Sequence, residues 1–203
     1  MVQERFQRRL SAIIFSSDVV GYSRMMESDE AGTFERLKTY RRELGEPLIK
    51  VHNGRIVKLT GDGALVEFAS AVEAVSCAVK IQRSALNRNT GALEDQRIVF
   101  RIGINLGDII VDPDGDIYGD CVNVAARLEA FAPTGGIAIS RAVCEQVRDH
   151  LPYAFEDRGE HQVRGLARPV HVFVLGPDAI AGLSIIEPSL SPIRQPKPGC
   201  PGR

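Results

Sequence analysis

The chain has 203 residues, with 25 Lys and Arg against 26 Asp and Glu, so its formal net charge is −1. That balance excludes an obligate polyanion binder, because no excess of positive charge exists to displace counterions from nucleic acid. Hydrophobic residues make up 44% and charged residues 25%, which is typical of a soluble globular domain. The length allows one domain with a sizeable core, and the absence of Trp predicts that this core is mainly aliphatic.

The cysteines and the apolar runs indicate the compartment. The four cysteines are far apart and form no CxxC pair, which argues against a structural zinc site; they are Cys77, Cys121, Cys144 and Cys200. The apolar stretch at 12–15 is too short for the core of a signal peptide. No run approaches the roughly 18 apolar residues of a membrane span. We therefore expect a cytoplasmic protein with reduced thiols and no membrane partner.

Hydrophobic periodicity and turn residues predict an alternation of strands and helices. The predicted elements of the first half are a buried strand at 9–17, a long helical region at 27–52 that Pro47 kinks or divides, a hairpin at 54–68 and an amphipathic helix at 71–86. Those of the second half are a hairpin at 97–106 and 108–111 broken at Gly107, a helix at 119–131, a strand at 137–140, a helix at 142–150 and a strand pair at 154–162 and 170–175.

The order β-α-β-β-α-β predicts an α+β fold of the ferredoxin-like kind, a mixed sheet with helices packed mainly on one side. No hydrophobic pattern continues after Leu175, and residues 188–203 hold five of the eleven prolines. We therefore expect a folded domain over 1–177 and a Pro-rich, disordered tail or linker over 178–203.

Two aspartates lie where a metal site is expected. Asp18 follows the first apolar strand, and Asp62 lies at the tip of the first hairpin. Because the first strand of such a sheet can neighbour the hairpin, both carboxylates can project from one end of the sheet. Two aspartates at that place, completed by phosphate and water oxygens, suit Mg²⁺. Each aspartate alone also has a simpler interpretation, Asp62 as a turn residue and Asp18 as a helix cap.

A third group of polar residues lies in the segment that begins at Asp116. Asn123 and Arg127 are four residues apart, so on a helix they share one face. An amide and a guanidinium on one face suit a sugar and a transferring phosphoryl group. A solvated helix face is the alternative.

Together these segments resemble the catalytic domain of the class III nucleotidyl cyclases, the adenylate and guanylate cyclases. The matching pieces, in order, are Phe15-x-x-Asp18-Val-Val-Gly21-Tyr22-Ser23, Lys58-x-x-Gly61-Asp62-Gly63, Arg101-Ile-Gly103-Ile-Asn-x-Gly107 and Asp116-Ile-Tyr-Gly-x-x-Val-Asn123-Val-Ala-Ala-Arg127. They cover roughly residues 9–175.

The resemblance implies a role for each matching residue. Asp18, Asp62 and the backbone carbonyl of Val19 would bind two divalent ions, Mg²⁺ or Mn²⁺. The turn that would hold the triphosphate through its backbone amides is formed by Gly21, Tyr22 and Ser23. The base would be read by Lys58 and Asp116. Asn123 would orient the ribose, and Arg127 would stabilise the transition state.

Hydrogen-bond polarity favours ATP as the substrate. Lys58 only donates and ionised Asp116 only accepts, which complements the N1 acceptor and exocyclic amine of adenine. Guanine reverses this polarity. We therefore expect an adenylate cyclase that converts ATP to 3′,5′-cyclic AMP and pyrophosphate. A guanylate cyclase, a catalytically silent nucleotide-binding sensor module and a two-metal polymerase-like transferase are the alternatives.

The resemblance also implies a partner. In this family the site lies between two domains, so one chain with the complete residue set should form a head-to-tail homodimer with two equivalent sites. A basic residue near the last hairpin usually helps to hold the triphosphate, and Arg164 and Arg168 are both candidates. Many relatives carry sensor domains; either the regulatory input is missing here or the chain is a fragment of a longer protein.

Overall fold

An eight-stranded mixed sheet organises the chain in the computed structural model, which describes residues 7–163, 165–166 and 168–183. The strands are β1 (Gln7–Val19), β2 (Arg55–Leu59), β3 (Ala64–Phe68), β4 (Phe100–Val111), β5 (Ile117–Tyr118), β6 (Ile137–Ser140), β7 (Glu156–His161) and β8 (Val170–Leu175). The helices are α1 (Tyr22–Ser28), α2 (Glu30–Tyr40), α3 (Glu46–Val51), α4 (Ala71–Arg88), α5 (Asp120–Leu128), α6 (Arg141–Val147) and α7 (Pro177–Gly182).

The strand order places β1 inside the sheet, between β3 and β4. The order is β2-β3-β1-β4-β6-β8-β7, and β5 pairs with β4. All pairs are antiparallel except β4 with β6, which is parallel. Strand β1 is apolar on both faces because Ile13 and Phe15 join one core cluster and Ile14 joins another. The ferredoxin-like mixed sheet is confirmed.

Most of the helices cover one face of the sheet, as predicted. The large core cluster on that face includes side chains from α2, α3, α4, α6 and α7. Helix α4 is amphipathic, and its first turn is capped by the Ser70 hydroxyl, which accepts a hydrogen bond from the amide of Glu73 at 3.4 Å. Helix α5 lies on the opposite face, where Cys121 and Ala125 pack against Ile14 and Ile109.

The predicted second hairpin is wrong, because residues 100–111 form the single strand β4. Gly107 does not break the strand. A Cβ at Gly107 would lie 3.2 Å from Cβ of Cys121, and one at Gly103 would lie 2.2 Å from the carbonyl oxygen of Ala125. Both glycines therefore allow α5 to approach the sheet closely, which is a known reason for glycine inside a strand.

The predicted long helical region is divided differently from the expectation. It starts earlier, at Tyr22, and is interrupted at Asp29, whose side chain caps α2 by accepting from the amide of Gly32 at 2.9 Å. A π-helical segment, Arg41–Gly45, then joins α2 to α3. Pro47 lies in the first turn of α3, directly after the π-helical segment, so the helix passes through Pro47 instead of ending there.

The chain continues past the last strand into a short helix that the sequence pattern does not indicate. Helix α7 begins at Pro177, and its Ile180 is buried in the large core cluster. Residues 184–203, most of the predicted tail, lie outside the described residues. None of the helices within the described ranges has the length and apolarity needed to cross a bilayer.

Candidate active site

Asp18 lies next to the end of β1, on the sheet face that α5 covers. Antiparallel pairing places it opposite Arg101 of β4, and the Arg101 Nη2 donates to its Oδ2 at 2.7 Å. This hydrogen bond raises the pKa of Arg101. The second carboxylate oxygen, Oδ1, is buried and accepts no hydrogen bond from any residue that the structure describes. A buried carboxylate oxygen without a donor is a ready ligand for a cation.

Asp62 lies in the turn between β2 and β3, beside the same end of β1. The turn is closed by the amide of Thr60, which donates to the carbonyl of Gly63 at 3.0 Å. The amide of Gly63 in turn donates to the Thr60 hydroxyl at 2.9 Å. A Cβ at Gly63 would lie 1.8 Å from the carbonyl oxygen of Ser17, so the turn packs directly against the backbone of the residue before Asp18. The structure thus brings the two predicted metal aspartates to one end of the sheet.

These two carboxylates fit a divalent ion that receives further ligands from outside the protein. Within the described residues, no three His, Cys, Asp or Glu side chains come together as a complete metal site. Mg²⁺ commonly uses one or two protein carboxylates and takes its other oxygens from substrate phosphates and water. The orphaned Oδ1 of Asp18 and the nearby Asp62 match that donor set. Val19, whose carbonyl is the third predicted ligand, is the last residue of β1.

The predicted phosphate turn follows β1 directly. Gly21 has a left-handed backbone with φ of 71°, and it precedes the first residue of α1. Its carbonyl accepts from the amide of Met25 at 3.1 Å, so the amides of the first helical turn, including those of Tyr22 and Ser23, are without intrahelical acceptors. The Tyr22 ring lies beside the turn that carries Asp62, since a Cβ at Gly61 would lie 3.7 Å from this ring.

A carboxylate that the sequence analysis did not single out lies in the same cluster. Burial, together with the negative charges of Asp18 and Asp62, raises the pKa of Glu129 to about 7. A hydrogen bond with Ser16 and the charge of Arg101 act in the opposite direction. Glu129 begins the 3-10 turn after α5. A glutamate at the end of a polar helix is typical of an exposed surface, so the sequence carried no signal for it. Arg101 was already part of a matching motif. Pairing β1 with β4 in the register that sets Arg101 opposite Asp18 could have identified it as a residue of the site.

Lys58 and Asp116, the predicted base-reading pair, lie on separate elements, Lys58 on β2 and Asp116 immediately before β5. Lys58 is exposed on β2, after a register shift between Ile56 and Lys58. The Asp116 carboxylate precedes β5 and accepts from the amide of Ile117 at 2.9 Å and from the Tyr118 hydroxyl at 3.3 Å. The Asp116 side chain therefore has a defined orientation before any ligand binds.

Arg55 connects the strand of Lys58 to the loop of Asp116. Its Nη1 donates to the carbonyl of Gly115 at 2.9 Å, and its Nε donates to Glu67 on β3 at 2.9 Å. The Glu67 side chain is only 9% exposed, so this ion pair anchors the loop to an inner strand. Sequence reasoning missed Arg55 because contacts between residues 60 positions apart leave no local pattern.

Asn123 and Arg127 both lie on α5, as predicted, and both are exposed. Neither side chain makes a hydrogen bond or ion pair with any residue in the described ranges, Asp18 and Asp62 included. Within the described residues, the structure therefore does not join Asn123 and Arg127 to Asp18 and Asp62. Of the two candidate triphosphate arginines, Arg168 is exposed and Arg164 lies outside the described residues.

Comparison with known proteins places this architecture in one family. The family model for the adenylate and guanylate cyclase catalytic domain matches residues 5–176. A Rhizobium meliloti protein named "Putative adenylate cyclase 3" is 49% identical over 177 residues, which are 87% of this chain. The chain belongs to the adenylate and guanylate cyclase catalytic domain family.

Solved structures agree with this assignment. An adenylate/guanylate cyclase/hydrolase from Silicibacter pomeroyi has a TM-score of 0.79 and 45% identity, covering 86% of this chain and all of that one. The adenylyl cyclase CyaB from P. aeruginosa has a TM-score of 0.73 and 26% identity, covering 84% and 95% respectively. The chain spans 30% of the length of the Rhizobium relative, so the match is to one domain of a longer protein.

Proposed function

We propose that this chain is an adenylate cyclase, which converts ATP to 3′,5′-cyclic AMP and pyrophosphate. The observation that carries the proposal is the pair of aspartates at one end of the sheet, one with a buried oxygen that has no partner among the described residues. The same chain carries an exposed Asn123 and Arg127, whose side chains have no partner in the described ranges either. Membership of the cyclase family supports the reaction class. All six predicted site side chains, Asp18, Asp62, Lys58, Asp116, Asn123 and Arg127, are present.

The reaction needs an in-line attack by the ribose 3′-oxygen on the α-phosphorus. One phosphorus–oxygen bond forms to the 3′-oxygen, the bond to the β-phosphate bridge breaks, and the hydroxyl proton leaves to Asp18 or water. Asp18, Asp62 and the carbonyl of Val19 would hold two Mg²⁺ or Mn²⁺ ions, which offset the negative charge that develops on the phosphate oxygens.

The other residues act on the nucleotide. Amides of the Gly21-Tyr22-Ser23 turn would bind the triphosphate, because the first amides of a helix are free donors. Asn123 would hold the ribose with its 3′-oxygen facing the α-phosphorus. Arg127 would bind the phosphate oxygens as their charge rises, and removing such a contact typically costs about 3 kcal/mol of transition-state stabilisation.

Base selection rests on the polarity of Lys58 and Asp116. In this arrangement the Asp116 carboxylate accepts from the exocyclic amine of adenine, and Lys58 donates to N1. The bonds from Ile117 and Tyr118 leave Asp116 with accepting capacity, since an ionised carboxylate has about four lone-pair sites. Guanine would present an acceptor to Asp116 and a donor to Lys58, leaving both pairs mismatched.

A head-to-tail homodimer would complete the site. Asn123 and Arg127 are exposed and without partners in the described part of the chain, although they share it with the metal aspartates. A second copy would bring its α5 to the Asp18 and Asp62 of the first, and two-fold symmetry would then create two equivalent sites.

The test is product identity. Purified protein is incubated with ATP or GTP and with Mg²⁺ or Mn²⁺ at several protein concentrations, and the products are separated by chromatography. The proposal expects cyclic AMP and pyrophosphate in equal amounts, with a specific activity that rises as the dimer forms. Cyclic GMP as the main product would make the protein a guanylate cyclase. Bound nucleotide without turnover would make it a silent sensor module.

A further inference from the structure

Arg41 makes an unusual set of contacts with the turn that carries Asp62. A single nitrogen of its guanidinium, Nη2, donates to the carbonyl of Thr60 at 2.7 Å and lies 3.1 Å from the carbonyls of both Gly61 and Gly63. These are all the residues of the turn other than Asp62 itself. Three backbone carbonyls of the turn therefore face the same guanidinium nitrogen of Arg41.

The position of Arg41 in the chain explains how its side chain reaches the turn. Arg41 is the first residue of the π-helical segment, and its carbonyl accepts from the amide of Glu46, five residues on. A π-helical turn is wider than an α-helical one and is frequent at functional sites. From this segment the guanidinium of Arg41 extends to the β2–β3 turn, where it contacts the carbonyl of Thr60.

The surroundings of Arg41 beside the turn are partly apolar. Arg41, Asp62 and Gly63 line a cavity of about 40 Å³, together with apolar side chains that include Ile56 and Leu59. Burial lowers the pKa of Arg41, and the charges of Tyr22, Asp62 and Glu46 act in the opposite direction. An arginine stays protonated under these conditions, and hydrogen bonds from a charged donor are about twice as strong as neutral ones.

We propose that Arg41 is a positioning residue for the metal-binding carboxylate of Asp62, acting through the three carbonyls of the turn. With those carbonyls fixed, the Asp62 side chain is presented at the end of β1, where Asp18 lies. Arg41 itself does not contact the reacting atoms. This inference rests on the proposed metal role of Asp62.

Partners that orient a metal ligand typically change metal affinity or activity by 10- to 100-fold when they are removed. Arg41→Ala should therefore weaken Mn²⁺ binding by about 10- to 100-fold. Turnover at saturating Mn²⁺ should return to within a few-fold of the wild type, because the aspartate itself is intact. Arg41→Lys keeps the charge with a single donor nitrogen, so its Mn²⁺ affinity should lie between those of the wild type and Arg41→Ala.

The experiment measures Mn²⁺ binding directly, by electron paramagnetic resonance of free Mn²⁺ in the presence of 3′-deoxy-ATP, which cannot cyclise. The matched control is Arg42→Ala, since Arg42 is the adjacent arginine, is exposed and pairs only with Glu43 at 3.3 Å among the described residues. Its Mn²⁺ affinity should equal that of the wild type. Thermal unfolding in EDTA checks that each variant is folded.

Several results would overturn the inference. One is an Arg41→Ala protein that is folded and binds Mn²⁺ like the wild type. Another is a loss of turnover that excess Mn²⁺ does not restore, which would indicate a general structural role. If Arg41→Ala does not fold, a wild-type Mn²⁺ affinity in Arg41→Lys is the contradicting result, as is a wild-type protein that binds no Mn²⁺. A wild type that binds Mn²⁺ without making a cyclic nucleotide refutes the proposed function alone.

Discussion

Replacing Gly103 by alanine should move helix α5, which carries Asn123 and Arg127, away from the sheet. Gly103 is in the middle of β4, beneath α5. A Cβ there would lie 2.2 Å from the carbonyl oxygen of Ala125 and 2.7 Å from the amide nitrogen of Glu129. Both are backbone atoms, so no side-chain rotation can relieve the clash. Restoring ordinary van der Waals contact requires α5 to shift outward by roughly 1 Å.

That shift has two consequences that can be measured separately. Overpacking of this kind typically lowers the free energy of unfolding by about 1–3 kcal/mol. Helix α5 also carries Asn123 and Arg127, and a misplacement of about 1 Å at a positioning group can cost about 100-fold in rate. We expect Gly103→Ala to remain folded at 25 °C, with a kcat for ATP that is about 100-fold lower.

Two further glycines serve as controls. At Gly107, four residues along the same strand, the nearest atom to a new Cβ is the Cβ of Cys121 at 3.2 Å, so Gly107→Ala should have a smaller effect on both quantities. Gly45→Ala meets no atom within 4 Å and should leave kcat unchanged. A wild-type kcat in Gly103→Ala, or equal losses in Gly103→Ala and Gly107→Ala, would refute the reasoning that helix placement limits turnover.

Three other predictions concern side chains of the candidate site. Asp18→Asn and Asp62→Asn should each lower turnover by about 100-fold or more without unfolding the protein; near-wild-type turnover at saturating Mn²⁺ would remove that residue from the metal site. The double variant Lys58→Glu with Asp116→Ser should lose preference for ATP over GTP by roughly 10- to 100-fold per mismatched contact, and an unchanged ratio of kcat/KM would mean that the pair does not read the base. The pKa of Glu129 is raised from 4.5 to about 7. Between these pH values the folded protein binds more protons at Glu129 than the unfolded protein does. The contribution of Glu129 to the free energy of unfolding in EDTA should therefore fall as pH rises from 4.5 to 7, by about 3 kcal/mol at most. Glu129→Gln should flatten this pH profile in denaturant titrations, and parallel profiles for the two proteins would contradict the assignment.

The elements that the sequence predicted well are those with a strong local pattern. The β2–β3 hairpin has a Gly-Asp-Gly turn between alternating segments, and α4 has a long amphipathic pattern. The second hairpin failed because Gly107 was interpreted as a local break. Gly107 is instead required because β4 contacts α5 there, at Cys121, which lies 14 residues further along the chain. A contact between distant segments leaves no periodicity to detect.

The same distinction applies to the candidate site. The aspartates at strand and hairpin ends could be predicted, because the end of a strand and the tip of a turn are local features. Arg41, Arg55 and Glu129 could not, since each acts through contacts made only after folding. Arg41 in particular fitted the helical spacing of its neighbours, and nothing in that spacing indicates the π-helical segment or the contact with the turn that carries Asp62.

In the proposed homodimer, each active site takes Asp18 and Asp62 from one protomer and Asn123 and Arg127 from the other. Mixing two inactive variants tests this most directly. Asp18→Asn and Arg127→Ala proteins are each assayed alone and then after mixing, with ATP and Mn²⁺ at saturation. In a mixed dimer, one of the two sites has both a normal Asp18 and a normal Arg127. The account predicts that mixing restores up to about a quarter of wild-type activity, since half of the dimers are mixed and each has one intact site. No recovery on mixing, together with a fully active wild-type monomer in sedimentation, would contradict the account.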